Sequence, residues 1–493
     1  MWGCALAFGL CGAAMAQPAA TEVPLPPEEW RAYFDAALAA DEIEEHEARC
    51  LAYPDLPGHQ WAEGAARARC ALLRPPKYDL DAMSGLLEQV DGAARLDREF
   101  ATLLEAHYGE IAQREQIFLA YAVFDETPRA GEVAQRWLQR SPDSAYAHAA
   151  LAAHRGSAGW KARGGAYAAD TPPERFEQMG ALFAQALPLY ARALELEPRL
   201  SVACVKLMAI GRQSSQTLED GATGHCLSVD PDSYHVVYEM LVRAQPRWGG
   251  SDDAMRQVVA YAQARVDRNP MLGALAGEAV GHRPSLEDHF GPFADTFAAA
   301  ARMGPAGGLS RNAGRGYARR GDYWQAVAFL GQSSRFWPER HELFFDRGMY
   351  LAQEIGHQEW AVRDLRKAAA LKPDDAATHH LLGNALVLTE GPLAARPHYR
   401  IARTGGRNAR SSHEQYCQTF AVLQDDLDAF LDCTEALVVS YPENGEGWRM
   451  RAWALLSANH LDAHHAVRRF RALADPSNAF HETTLIQFAE IPL

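Results

Sequence analysis

The feature that most constrains this chain is a spacing that recurs: Ala186, Tyr190, Ala193 and Pro198; Ala326, Leu330, Ser333 and Pro338; Ala361, Leu365, Ala368 and Pro373. Steps of four and three place the first three residues on one helical face, small against large. A step of five then brings proline, which a helix interior does not tolerate. A helical unit recurring at a period in the thirties predicts an all-α solenoid of helical hairpins. Each pair in such an array buries its apolar face only by stacking on its neighbours. This is a packing code rather than a catalytic one, so the pattern predicts binding through an extended surface.

The chain has 493 residues, of which 48% are hydrophobic and 23% charged, enough to bury a large core or a repeat array. A formal charge of −15 argues against nucleic acid as the main partner, because that surface needs a basic footprint. Residues 1–16 carry no charge and end in Ala14-Met15-Ala16, the small-x-small pattern of a cleaved export signal. The expected mature protein is soluble, periplasmic or secreted, with no membrane span.

Beyond the signal stand six cysteines in three local pairs: Cys50 and Cys70, Cys204 and Cys226, Cys417 and Cys433. In an antiparallel helix hairpin, residues equally far from the turn face each other, so the turn serves as a ruler. Cys417 and Cys433 are equidistant from Asp425, and Cys204 and Cys226 are nearly so from Gln216. Cys50 and Cys70 fit less well, because the break at Pro54 to Gly58 lies close to the first. The alternative is six buried free thiols. No CxxC occurs, so neither a redox motif nor a zinc ribbon is indicated.

Four regions follow: the signal (1–16), an N-terminal helical region (17–128), a helical domain (129–300) and the array (301–493). The first copy of the code lies inside the third region, after a helix expected to lack the repeat's glycine and tyrosine positions. In the array, Gly314, Tyr317 and Gly321 precede Ala326, whereas Gly348 stands one residue too far from Ala361, an apparent insertion. Leu382, Gly383 and Leu386 precede Ala395, Tyr399 and Ala402, and two looser copies end at Pro442 and Pro476.

Small residues at the eighth and twentieth positions, large ones at the eleventh and twenty-fourth, and proline at the thirty-second resemble the tetratricopeptide repeat (TPR). The stretch around GWKARGG, ALPLYARALELEP and PRWGGS is similar to an uncharacterised bacterial domain, DUF4034, which implies no chemistry. The TPR resemblance implies a concave groove lined by the first helix of each pair. Carried onto this chain, it gives Arg311, Arg315 and Arg319, then Phe345, Met349 and Gln353, then His380 and Asn384, and finally Arg449 and Trp453. Three Arg in a row present planar forks suited to an acidic or C-terminal peptide segment. The competing reading is a solvated helix face.

His460 and His464 are one turn apart and could seat a metal, but no HExxH, GxSxG, Walker or dinucleotide pattern accompanies them. No cofactor, metal or catalytic set is expected. Arg163, Arg247 and Trp248 are the candidates if the middle region binds something. The bland alternative is a packed corner at Trp248, with Arg247 bonding helix-end carbonyls and Ser251 capping the next helix. The leading expectation is therefore an exported, non-enzymatic scaffold for a protein or peptide. The rival is an enzyme or ligand-binding domain in the middle region that the repeats recruit.

Overall fold

The computed structural model describes residues 23–166, 168–489 and 491. The expected signal peptide lies outside the described residues. Among those described, all regular structure is helical, and they form two compact bodies. One runs from Ala32 to Pro338; the other comprises Glu339 onward together with residues 23–31.

In the first body, helices α1 (Glu28–Asp41, from Ala32 on), α2 (His46–Ala52) and α3 (Ala65–Ala71) precede α4 (Leu80–Glu88), α5 (Gly92–Gly109), α6 (Gln116–Ala122) and α7 (Pro128–Arg140). Thr127 caps α7 through Ala130 N, with Pro128 at the first helical position where its missing N–H costs nothing. Antiparallel pairs then follow: α8 (Ala145–Arg163) with α9 (Pro173–Leu196), α10 (Ser201–Ser214) with α11 (Gln216–Val229), and α12 (Tyr234–Arg243) with α13 (Asp252–Gln263). The series continues with α14 (Ala274–His282) and α15 (Ala294–Met303), then α16 (Gly307–Arg320) and α17 (Tyr323–Phe336).

The recurring spacing works as a close-packing device. A Cβ added at Gly314 would sit 2.8 Å from Leu330 Cγ. The same addition at Gly348 would meet Leu365 at 2.6 Å, and at Gly383 the Tyr399 ring at 2.6 Å. Only a missing side chain lets the first helix of each pair approach the large residue of the second. All three large residues are at most 1% exposed. Helices α9 and α17 end two residues before Pro198 and Pro338.

Helix α8 lacks glycine at the repeat's own position, as expected, but carries two glycines farther upstream that contact α9. Gly159 lies against Phe183, where a Cβ would stand 2.6 Å from the ring, and Gly156 lies beside the Tyr190 hydroxyl. Helix α9 is 24 residues long, so the partner glycines fall farther upstream than the repeat's usual register.

Residues of the N-terminal region return to α15 and α17. Tyr33 donates to Ala328 O (3.1 Å), Arg49 to Ser334 O (3.0 Å), Arg335 to Cys50 O (2.8 Å) and the Trp61 indole to Ala301 O (3.0 Å). Arg335 also pairs with Asp55 at 2.6 Å. These contacts cover the side of α17 that its own pair leaves open, and every residue from Ala326 to Phe336 is consequently buried.

In the second body, α18 (His341–Met349) pairs with α19 (Gln358–Leu371), α20 (Ala376–Thr389) with α21 (Pro392–Ala402), α22 (Ala409–Leu423) with α23 (Leu427–Ser440), and α24 (Gly445–Ser457) with α25 (Ala463–Leu473). A last helix, α26 (Ala479–Ala489), packs on α24. The one-residue insertion before Ala361 is absorbed by a π-helical segment, Tyr350–Ile355, which widens the backbone by one residue and restores the register of α19.

The three cysteine pairs are joined, with Cα–Cα distances of 5.5 Å (Cys50–Cys70), 5.7 Å (Cys204–Cys226) and 5.6 Å (Cys417–Cys433). No helix among the described residues is long and apolar enough to cross a membrane.

Two histidines whose pKa values burial lowers are expected to make the second body less stable in acid. His413 is 6% exposed, and burial, then Arg403, pushes its imidazole down to about 4. His398 is likewise lowered to about 4 by burial, then by His379 and Arg366. An unfolded histidine takes up its proton near pH 6.5. The unfolded chain thus binds more protons between about pH 6.5 and 4, and stability falls as pH drops through that window. For His413 the loss by pH 4 is on the order of 3 kcal/mol. We expect the melting temperature of this body to drop between pH 7 and 4.5, and H413Q with H398Q to flatten the drop, as followed by calorimetry. An unchanged profile in the double variant would exclude these two groups as its source.

Candidate functional site

Helix α16 packs against its neighbours through Gly314, Leu309 and Gly316. Gly314 meets α17, and Leu309 reaches Gly277 and Gly281 of α14. Gly316 abuts Ala294 of α15 and the Phe290 carbonyl. Arg311 and Arg315 are half-buried, with the Arg311 guanidinium 5.6 Å from the Trp337 ring centre, and Arg319 is exposed.

The other groove residues belong to the second body. Phe345 and Met349 are half-buried on α18, and the Phe345 ring stacks on His341. His380 is buried and bonds Ser412 Oγ at 2.8 Å. Asn384 contacts His380 Nε2 at 3.3 Å and accepts the Tyr399 hydroxyl at 2.9 Å. Arg449 makes a two-pronged bond to Glu446, and Trp453 packs against Phe488 at 5.0 Å. The polar atoms of His380, Asn384 and Arg449 are therefore engaged within the fold.

In the middle region the candidate residues separate. Arg163 ends α8, donating to Gly164 O (3.0 Å) and Ala166 O (3.1 Å) with its guanidinium near the Phe176 ring. Arg247 and Trp248 sit on a tight turn after α12, where Gly249 takes φ +84° and Gly250 leaves no room for a Cβ against Ala244 O. Ser251 then caps α13 through Ala254 N at 3.1 Å, as its position predicts.

Trp248 also walls a cavity of about 850 Å³ between α10, α11, α12 and α13. Arg212, Glu219, Arg243 and Tyr261 line it as well, and Arg163 is not among them. Arg212 pairs with Glu239 at 2.5 Å and approaches Glu219 at 3.8 Å, while Arg243 binds Glu219 and Asp220.

A second set of side chains escaped the sequence reasoning. Lys206 of α10 is exposed by surface, yet burial among its neighbours lowers its ammonium below the usual lysine range, with Glu239 opposing. His235 of α12 is pushed to about 3, first by burial and then by the cations Lys206 and Arg69. Its ring stacks on Phe118 with centroids 4.1 Å apart, and Tyr234 stacks on Tyr238. Glu278 of α14 is raised by burial and partly held down by Arg69. By surface, Lys206 and Tyr238 are exposed, and His235 and Glu278 are half-buried. The aromatic pair at i, i+4 on α12 is the signal that could have pointed to them.

The described residues include an acid–histidine pair, His107 with Asp230 at 2.7 Å, but both side chains are at most 2% exposed. One grouping could hold a metal ion, His413 with Cys417 and Cys433, and its two sulfurs are joined to each other. His460 lies 3.7 Å from Asp462, with His464 exposed nearby.

No protein-family model matches this chain, and no curated protein does; the similarity of 129–300 to DUF4034 gains no support from either. Among solved structures, it is similar to YrrB, a TPR protein with an unusual peptide-binding site, at 17% identity and TM-score 0.33, over 38% of this chain and 97% of that one. It is similar to the TPR domain of P58(IPK) at 13% identity and TM-score 0.26, over 82% and 99%. A third is the APC/C hetero-tetramer Cut9-Hcn1, at 15% and 0.30, over 83% and 98%. Scores this low add nothing to the fold. The helix pairs and their glycine contacts establish it as an all-α helical repeat.

Proposed function

We propose that this protein is an exported, non-enzymatic helical-repeat scaffold that captures a protein or peptide segment along the first helices of its pairs. The observation that carries the reading is the set of solvent-reaching side chains Lys206, His235, Tyr238 and Glu278. These residues come from α10, α12 and α14, three first helices in succession, and each remains open to solvent. Stacked rings offer apolar contact at small entropic cost, and Lys206 and Glu278 offer charge of both signs. Arg311, Arg315 and Arg319 on α16, the next first helix, add a basic stretch suited to an acidic segment.

Two further observations support the rest of the reading. Three buried disulfides suit an oxidising compartment, in agreement with the small-x-small pattern at Ala14-Met15-Ala16. The acid–histidine pair is sealed from substrate, and His107 Nδ1 is already taken by the Glu115 N–H at 2.9 Å.

The test is a pull-down from the exported fraction with two variants, Lys206→Glu with Tyr238→Ala and the charge reversal of Arg311, Arg315 and Arg319. Each is expected to lose a partner held by the unaltered protein while keeping its far-UV helical signal. Capture retained by both variants would overturn the assignment.

A further inference from the structure

Most of the large apolar side chains that the second body exposes share one edge of it. Its helix pairs stack in sequence, α19 on α20, α21 on α22 and α23 on α24. Because each pair is antiparallel, the turns inside the pairs all fall on one side of the stack. Leu388 and Leu393 flank the turn between α20 and α21, Val422 and Leu427 flank that between α22 and α23, and Leu461 sits in that between α24 and α25. All five are at least 41% exposed. At the turn between α18 and α19 another segment continues the row. Pro24 lies against Gly356, where a Cβ would stand 3.9 Å from its Cγ, and its neighbours Val23 and Leu25 are exposed.

Single apolar side chains on a surface need no explanation, but recurrence at the same place in successive pairs does. The turns are made by Gly356, Gly391, Gln424 and Asn459, each at positive φ, so the apolar neighbours are not what shapes them. The same turns carry acid. Glu390 and Asp425 already pair with Arg366 and Arg396. Glu354, Glu359 and Asp428 are exposed and form no ion pair among the described residues.

An apolar row bordered by unpaired carboxylates fits a partner with an apolar stripe and the opposite charge. The same charge disfavours an anionic membrane. Stacked helices lie about 8–10 Å apart, so the turns run over roughly 30 Å, the length of a helix of about 20 residues.

We propose that this edge docks a basic amphipathic helix of a partner protein. Its apolar stripe lies on Leu388, Leu393, Leu427 and Leu461, and its lysines or arginines face Glu354, Glu359 and Asp428.

Fluorescence anisotropy of the full chain with labelled model peptides of about 20 residues tests the assignment. A Leu/Lys amphipathic helix is expected to bind with Kd below about 100 μM. A Ser/Lys peptide of equal charge and a Leu/Glu peptide with the same stripe should each bind about tenfold more weakly or not at all. Two variants should each weaken the Leu/Lys peptide by about tenfold: Leu393→Ser with Leu427→Ser and Leu461→Ser, and Glu359→Lys with Asp428→Lys. All five positions are exposed, so the melting temperature should hold. Val439→Ser, at the opposite end of α23 from Leu427, should change nothing. Equal binding of the Ser/Lys peptide, or binding that either edge variant leaves unchanged, would overturn the proposal. So would dimerisation in sedimentation, or flotation with phosphatidylglycerol vesicles, that the leucine variant abolishes, since either gives the edge another occupant. The Lys206→Glu, Tyr238→Ala variant and the arginine reversal should bind the peptide as the unaltered protein does, so failure here and failure of the scaffold reading are separable.

Discussion

Reducing the three disulfides is expected to destabilise both bodies of the protein, by roughly 3 kcal/mol per bridge. Each bridge closes a short loop, with partners 20, 22 and 16 residues apart, and so removes conformations chiefly from the unfolded chain. Against a net stability of about 5–15 kcal/mol for a typical domain, a loss of this size is large. Two bridges lie in the first body and one in the second. Calorimetry with and without a phosphine reductant, at pH 7, should therefore show lower melting temperatures on reduction. The double variant Cys417→Ser, Cys433→Ser should reproduce the change in the second body alone. Peptide mapping of the non-reduced protein checks the premise: it should yield Cys50 with Cys70, Cys204 with Cys226 and Cys417 with Cys433. Any other pairing, or a thermogram indifferent to reductant, would refute the account.

The same bridges show what could be read in the sequence. Cys204–Cys226 and Cys417–Cys433 each span one hairpin, so distance from the turn located them. Cys50–Cys70 joins α2 and α3 across a connection whose path is set by distant residues, with Arg335 bonding Cys50 O and Asp55. A ruler based on local symmetry has no purchase there. The packing code was legible for a similar reason, since Gly348 against Leu365 and Gly383 against Tyr399 are contacts within one pair. Even the extra residue before Ala361 left a countable trace, which the backbone resolves as a π-helical segment.

Contacts between remote segments were not legible. Nothing near Tyr33 or Trp61 announces Ala328 or Ala301 as partners, although the unbroken burial of α17 is their consequence. At the candidate sites, residue type misled where neighbours decide. His380 and Asn384 occupy groove positions by number, but Ser412 and Tyr399 engage them. Lys206 and Tyr238 gain their character from what surrounds them, which one helix does not reveal.

Removing the His107 imidazole is expected to cost the first body about 3–5 kcal/mol, through two stranded partners rather than through lost volume alone. Glu115 holds a left-handed backbone, φ +72°, and points its N–H at His107 Nδ1. That bond leaves the ring proton on Nε2, which donates to Asp230 Oδ2 at 2.7 Å. The Glu115 carboxylate in turn accepts from Ser233 Oγ (3.1 Å), Tyr234 N (2.7 Å) and Asn269 Nδ2 (3.1 Å). His107→Ala would leave the Asp230 carboxylate buried without its close donor, since Arg114 stands 3.7 Å away, and the Glu115 N–H buried without an acceptor. His107→Gln can replace one of the two bonds, so its cost should be smaller than that of His107→Ala. Urea unfolding of the two variants separates the effects: equal losses would mean that packing of the ring dominates. The network joins the turn before α6 to the start of α12 and to the Asn269 turn, three loops from different parts of the first body. A loss there should therefore lower the cooperative transition of the whole body and leave the second unchanged, whereas a purely local defect would appear as early exchange of the Glu115 amide with no shift in the midpoint.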